Sequence, residues 1–205
     1  MKRIFIILTL IVMSLASYAG TFNQQAAIKE ISAAAAALKT MQCDFVQTKS
    51  LKMLGDKMVS KGKMYCSQPD KLKWQYLTPY QYTFILNGNK VGINKGSRSN
   101  VVDVQKNKMF KEIARIMMNT VLGKCFSDKD FKTSVVQKGR TYVATLIPLK
   151  KEMKQMFTKI VLHYSKDAAT VTEVELHEKN GDSTVIELKN IKKNAPINAT
   201  TFKVG

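Results

Sequence analysis

The chain has 205 residues, with 33 Lys and Arg against 15 Asp and Glu for a net charge of +18, and three cysteines. That length suits one domain with a sizeable buried core. The lysines are spread along the chain, with no compact basic run interleaved with aromatics. Nucleic acid is therefore not the expected partner, and the charge points to an anionic membrane surface, to acidic proteins or to solubility alone.

The first segment, MKRIFIILTLIVMSLASYAG, begins with Lys2 and Arg3, continues with an apolar run from Ile4 to Leu15, and reaches the small-x-small triplet Ser17-Tyr18-Ala19. It reads as a secretory signal peptide cut after Ala19. Its apolar run is too short to span a membrane, and no second long apolar segment follows. Gly20 stands where a lipid-modified chain would carry cysteine. The expectation is a soluble chain, exported and unanchored, with residues 20–205 as one domain.

Thr21 and Gln24 have the spacing of a capping box, and Ile28, Ile31, Ala35 and Leu38 recur at helical spacing. This predicts a helix from about Phe22 to Met41. The period then changes to two, with strands predicted over Cys43–Met53, Lys57–Cys66, Leu72–Leu77, Gln81–Leu86, Lys90–Asn94 and Asn100–Val104. Turn signals such as Leu54-Gly55, Gln68-Pro69-Asp70 and Asn87-Gly88-Asn89 separate them. Cys43 and Cys66 lie symmetrically about Leu54-Gly55. A tight hairpin centred there would set them opposite each other, as a disulfide or as two apolar thiols facing the interior. Cys125 has no evident partner.

Within KLKWQYLTPYQYTFILNGNK, Leu72, Trp74 and Tyr76 share one face of a strand, and Tyr82, Phe84 and Leu86 share that face after the turn. Lys108–Leu122 then carries Met109, Phe110, Ile113, Ile116, Met117 and Val121 as one apolar helical stripe ended by Gly123. Such a stripe suits a core helix. Its flexible thioethers equally suit a surface that adapts to apolar ligands. Five more strands are predicted at Phe131–Val136, Thr141–Ile147, Phe157–Tyr164, Val171–Glu178 and Ser183–Asn190. Eleven short antiparallel strands must curl, which gives a mainly β (α+β) fold whose inner face an inserted helix can fill.

Catalytic signatures are not found. His163 and His177, the only two histidines, lie in separate strand patterns with no neighbouring Cys or second His, so no metal site is expected. Nucleophile elbows, phosphate-cradling loops and helix-borne His pairs are not in evidence either, and the expectation is neither an enzyme nor a cofactor protein.

From FVQTK through GKMYCSQPDKLKWQYLTPYQYTFILNG, the chain carries Phe45, Gln47, Gly62, Pro69, Trp74, Pro79 and Gly88 in order. In these residues it resembles the periplasmic lipoprotein carriers of the LolA family. The resemblance implies an incompletely closed antiparallel β-barrel of eleven strands, with helices as a lid over an apolar cavity. It implies a monomeric carrier that takes acylated lipoproteins from an ATP-driven complex of the inner membrane and passes them to an outer-membrane acceptor. The candidate acyl-cavity residues are then Phe45, Met64, Leu72, Trp74, Tyr76, Phe84 and Leu86, and Met109, Phe110, Ile113 and Met117 belong to the lid. The family's usual arginine before the proline, whose hydrogen bonds latch the lid, is Gln68 here. The alternative is the same scaffold used as an envelope sensor or binding module for another amphiphile or glycolipid.

Overall fold

The computed structural model describes residues 22–96, 98–103, 118–119, 126 and 129–204. The expected leader, Cys125 and the lid candidates Met109, Phe110, Ile113 and Met117 lie outside the described residues.

Helix α1 runs from Gln24 to Ala37. Its cap is Asn23 rather than the expected Thr21, the Asn23 Oδ1 accepting from the Ala26 N–H at 3.0 Å. The helix also stops before the expected Met41. The Lys39 N–H donates to Asn194 Oδ1 (2.7 Å), and Thr40 Oγ1 donates to the Ala195 carbonyl (2.6 Å). Met41 is already paired with Lys193 and Cys66. Strand pairing on both sides overrides the helical tendency of the segment.

Eleven strands follow: β1 Thr40–Leu51, β2 Asp56–Ser67, β3 Lys71–Thr78, β4 Tyr82–Asn87, β5 Lys90–Lys95, β6 Arg98–Asp103, β7 Phe131–Lys138, β8 Thr141–Pro148, β9 Phe157–Ser165, β10 Thr170–Glu178 and β11 Ser183–Lys193. A short helix α2, Lys151–Met156, precedes β9, and a 3-10 turn covers Ala199–Phe202. They form one antiparallel sheet in the order β6-β5-β4-β3-β2-β1-β11-β10-β9-β8-β7. The end strands β6 and β7 are not paired with each other, so the sheet is not closed into a barrel. Strands β1 and β11 outrun their predicted ends because their extra residues pair mutually, Met41 with Lys193 and Gln42 with Lys192.

The β1–β2 hairpin corrects the expected register of the two cysteines and leaves the alternative of apolar interior thiols. It closes at Leu51↔Asp56, so Cys43 faces Met64 and Cys66 faces Met41. The two cysteines are diagonal neighbours, a relation that separates Cβ atoms by about 7 Å, too far for a disulfide. Both thiols are free and buried.

One face of the sheet carries the core. Alternate residues Met41, Cys43 and Phe45, then Met64 and Cys66, then Leu72 and Trp74, and across the sheet Leu146, Ile160 and Leu162, are all buried. Helix α1 lies on this face through Ala27, Ile31 and Ala35. The C-terminal segment covers part of the opposite face. Phe202 is buried, its carbonyl accepts from Asn87 Nδ2 at 3.0 Å, and Val204 Cγ1 is 3.0 Å from where a Cβ on Gly92 would sit.

Candidate functional site

The residues that alternate in β3 and β4 meet as expected. Met64, Trp74 and Phe84 lie side by side across β2, β3 and β4, and Cys66, Leu72 and Leu86 form the next row. Phe45 reaches over from β1. Its ring stacks on Trp74, with centroids 4.3 Å apart and planes 27° apart, and Tyr76 meets it edge-on at 5.2 Å. Gly62 makes this possible, since a Cβ there would sit 2.5 Å from Phe45 Cζ and closer still to the Gln75 carbonyl oxygen. All seven candidate wall residues, Phe45, Met64, Leu72, Trp74, Tyr76, Phe84 and Leu86, belong to or pack against one apolar cluster. Met118, from the inserted segment, is buried in the same cluster.

The polar atoms on this face are few. The Tyr76 hydroxyl donates to Gln47 Oε1 at 2.9 Å, and burial pushes the phenol's pKa above its ordinary value. Trp74 Nε1 is buried and has no hydrogen-bond partner among the described residues. It lies close enough to the Tyr76 hydroxyl to favour the phenolate, without meeting hydrogen-bond geometry. Burial also raises both thiols to about 12, with Asp44 and Cys66 adding to the shift at Cys43. Neither is a nucleophile at neutral pH.

Helix α1 packs against β7 and β10 and is fastened along its length. At its start, Gln24 Oε1 accepts from the Val135 N–H (3.0 Å), and at its middle Glu30 accepts from the Tyr142 hydroxyl (2.8 Å). At its end, Gln68 Nε2 donates to the carbonyls of Ala35 (3.2 Å) and Leu38. The Gln68 N–H donates to the Lys39 carbonyl at 2.9 Å. The side chain thus adds a second donor to the Ala35 carbonyl, which already accepts from the Leu38 N–H (3.2 Å), and supplies one to the Leu38 carbonyl beyond the helix end. Beneath α1, between Ile31, Ala35, Leu38 and Tyr164, Val171, only a gap of about 10 Å³ remains. That is roughly the room of one water-sized sphere.

The two histidines, read separately from the sequence, converge. On the opposite face of β9 and β10, His163 Nε2 lies 2.7 Å from Glu175 Oε1 and 3.4 Å from Glu173 Oε1, and His177 Nε2 lies 3.1 Å from Glu175 Oε2. Burial works to raise the Glu175 carboxyl, but the two imidazoles outweigh it and hold the carboxyl below its ordinary value. The strands thus bring together side chains that spacing along the chain keeps apart. Antiparallel pairing sets His163 against Glu173, a proximity that spacing along the chain does not reveal. Sequence reading also missed Gln47 and Gly62 as parts of the inner face, although both stand in the motif that carries the resemblance.

The model of the outer membrane lipoprotein carrier protein LolA family matches residues 36–205. An outer-membrane lipoprotein carrier protein of Legionella pneumophila (strain Lens) is 26% identical over 206 residues, covering 99% of this chain and 94% of that protein. Among solved structures, an uncharacterized conserved protein from Thermus thermophilus matches with a TM-score of 0.52 at 8% identity, over 87% of this chain and 91% of that one. The Pseudomonas aeruginosa MucA/MucB complex matches with a TM-score of 0.50 at 13% identity, over 88% and 60%. At such identities the structural likenesses speak to the fold alone.

Proposed function

The chain belongs to the LolA family of outer membrane lipoprotein carrier proteins, and on that footing we propose that it is a periplasmic carrier, exported by its leader, that binds the acyl chains of lipoproteins. It takes them from an ATP-driven releasing complex of the inner membrane and delivers them to an outer-membrane acceptor, acting as a monomer. The observation that carries this reading is the inner face itself: an aromatic cluster of Phe45, Trp74 and Tyr76 on the sheet face that α1 shares, with the Trp74 N–H buried in it.

Affinity has to be moderate for such a task. Burial gains about 25 cal/mol per Å², so several hundred Å² of acyl chain would bind too tightly to release if the site stood open. Helix α1 already occupies part of that face through Ala27, Ile31 and Ala35. Acyl chains therefore exchange one apolar contact for another, and net affinity is the small difference. Gln68, joined to the end of α1, sets the cost of lifting it. Trp74 Nε1 supplies a donor for an ester or amide carbonyl near the head of the lipid. The basic surface orients the carrier on anionic headgroups or acidic partner faces.

The test is a transfer assay with the purified chain. Spheroplasts displaying a labelled acylated lipoprotein should release it into a soluble complex with the chain, and outer-membrane vesicles should then recover it. Lipoprotein that stays on the spheroplasts at saturating chain concentration would refute the carrier reading. A glycolipid recovered in place of lipoprotein would favour the sensor or alternative-amphiphile reading.

A further inference from the structure

The outer face of β9 and β10, remote in role from acyl binding, gathers His163, Glu173, Glu175 and His177. We propose that this cluster is a binding site for a divalent transition-metal ion of the zinc class. His163 Nε2, Glu173 and Glu175 serve as ligands, and His177 holds Glu175 in place. Among the described residues these three ligands form the one group of His, Cys, Asp or Glu donors whose ligand atoms all lie within 4.8 Å of one another.

The spacing fits the ion. Zinc bonds imidazole nitrogen and carboxylate oxygen at about 2.0–2.2 Å, so neighbouring ligands on a tetrahedron stand about 3.4 Å apart. His163 Nε2 and Glu173 Oε1 are 3.4 Å apart. His163 Nε2 and Glu175 Oε1, at 2.7 Å, sit at hydrogen-bond distance and need only open slightly to admit the ion. The other Glu175 oxygen is 3.1 Å from His177 Nε2, an outer contact of the kind that orients metal-bound carboxylates. One imidazole with two carboxylates leaves a coordination position for water or an external ligand. Imidazole favours zinc, copper or nickel over magnesium and calcium, and the absence of thiolate or thioether from the cluster disfavours copper(I).

Two features of the strands support the assignment. Glu173 stands directly opposite Glu187 across β10 and β11, a like-charge pair that costs stability unless a cation offsets it. Lys189 contacts Glu187 at 3.0 Å, whereas Glu173 and Glu175 are met by the imidazoles of His163 and His177. The β9–β10 ladder is also irregular at two places, Val171/Glu173 and His177/Glu178, which bracket the cluster. Bulges re-aim side chains and gather next to functional sites. The four side chains are between 24% and 33% exposed, within reach of an ion from solvent. A bound ion would tie β9 to β10 directly behind Leu162 and Val174 of the inner wall.

The experiment uses the untagged full chain, titrated with zinc(II) by calorimetry and with cobalt(II) as an optical reporter. One ion per chain should bind, with a tetrahedral cobalt(II) spectrum and an upward shift in melting temperature on adding zinc. Because the chain has only two histidines, zinc should perturb both imidazole signals in an NMR spectrum. His163→Ala and Glu173→Gln should each weaken binding more than a hundredfold, and His177→Ala about tenfold. No saturable binding, unmoved imidazole signals, or wild-type affinity in either the His163 or the Glu173 variant overturns the proposal. In that event the cluster is a set of His–Glu hydrogen bonds only. Circular dichroism of each variant separates lost binding from lost fold, and the wild-type cobalt spectrum stands independently of both.

Discussion

Replacing Gln68 by alanine removes both side-chain hydrogen bonds to the end of α1 and leaves the Leu38 carbonyl without this donor. Each such bond contributes about 0.5–1.5 kcal/mol net, so the closed position of α1 should lose roughly 1–3 kcal/mol. That corresponds to about a 5- to 150-fold rise in the population with α1 lifted. Arginine at the same position should act in the opposite sense. It keeps donors at the helix C-terminus and adds a cation where the helix dipole is negative, which stabilises by about 0.3–1 kcal/mol. Amide hydrogen exchange across Gln24–Ala37, together with affinity for a fluorescent acyl probe, reads both variants. Gln68→Ala should exchange faster in α1 and bind the probe more tightly. Gln68→Arg should exchange more slowly and bind less tightly. If the two variants move in the same direction, or α1 exchange is unchanged in Gln68→Ala, Gln68 does not govern access to the interior.

Gly62→Ala should destabilise by more than about 3 kcal/mol, beyond ordinary overpacking, because the added carbon meets main chain as well as Phe45; an unchanged thermal melt contradicts this. Trp74→Phe keeps an aromatic ring but removes the N–H, so affinity should fall about fivefold for ester-bearing amphiphiles and stay unchanged for a plain hydrocarbon probe in parallel titrations. Cys43 and Cys66, raised from 9.0 to about 12, should hold roughly a thousandfold less thiolate at pH 8 than ordinary thiols. Peptide mapping should therefore find both unalkylated in native protein and modified after unfolding. Because their folded pKa values lie above the unfolded ones, their stabilising effect is whole below pH 9 and is lost as pH rises toward about 12, visible as a falling melting temperature. Attachment to anionic vesicles should weaken as salt is raised, since the Debye length falls to about 8 Å at 0.15 M.

The strands were legible because one face of each is buried, and burial imposes a period of two on the residue types. Their ends were less so. Thr40 and Met41 continue a helical pattern, and only pairing with β2 and β11 makes them strand. The cysteine hairpin shows the limit of symmetry arguments. Counting outward from Leu54-Gly55 assumes a tight turn, whereas the loop spans residues 52–55 and shifts the register by two. The inner wall was readable from Leu72, Trp74, Phe84 and Leu86 because cross-strand neighbours here are also near in sequence. Gln68 was found through a departure from a family pattern, and its hydrogen bonds to Ala35 and Leu38 gave it a structural partner. The His163, Glu173 and Glu175 cluster joins separate strands, so no spacing in the chain announces it.

The central claim is that the face bearing Trp74 holds the acyl chains of lipoproteins. The most direct measurement places a photo-crosslinking amino acid at position 74, expresses the chain in cells, irradiates, and identifies the adduct by mass spectrometry. Triacylated lipoprotein N-termini should crosslink from position 74, and none from a control probe at exposed position 54. Adducts only to the chain itself, or to free glycolipid, would contradict the claim.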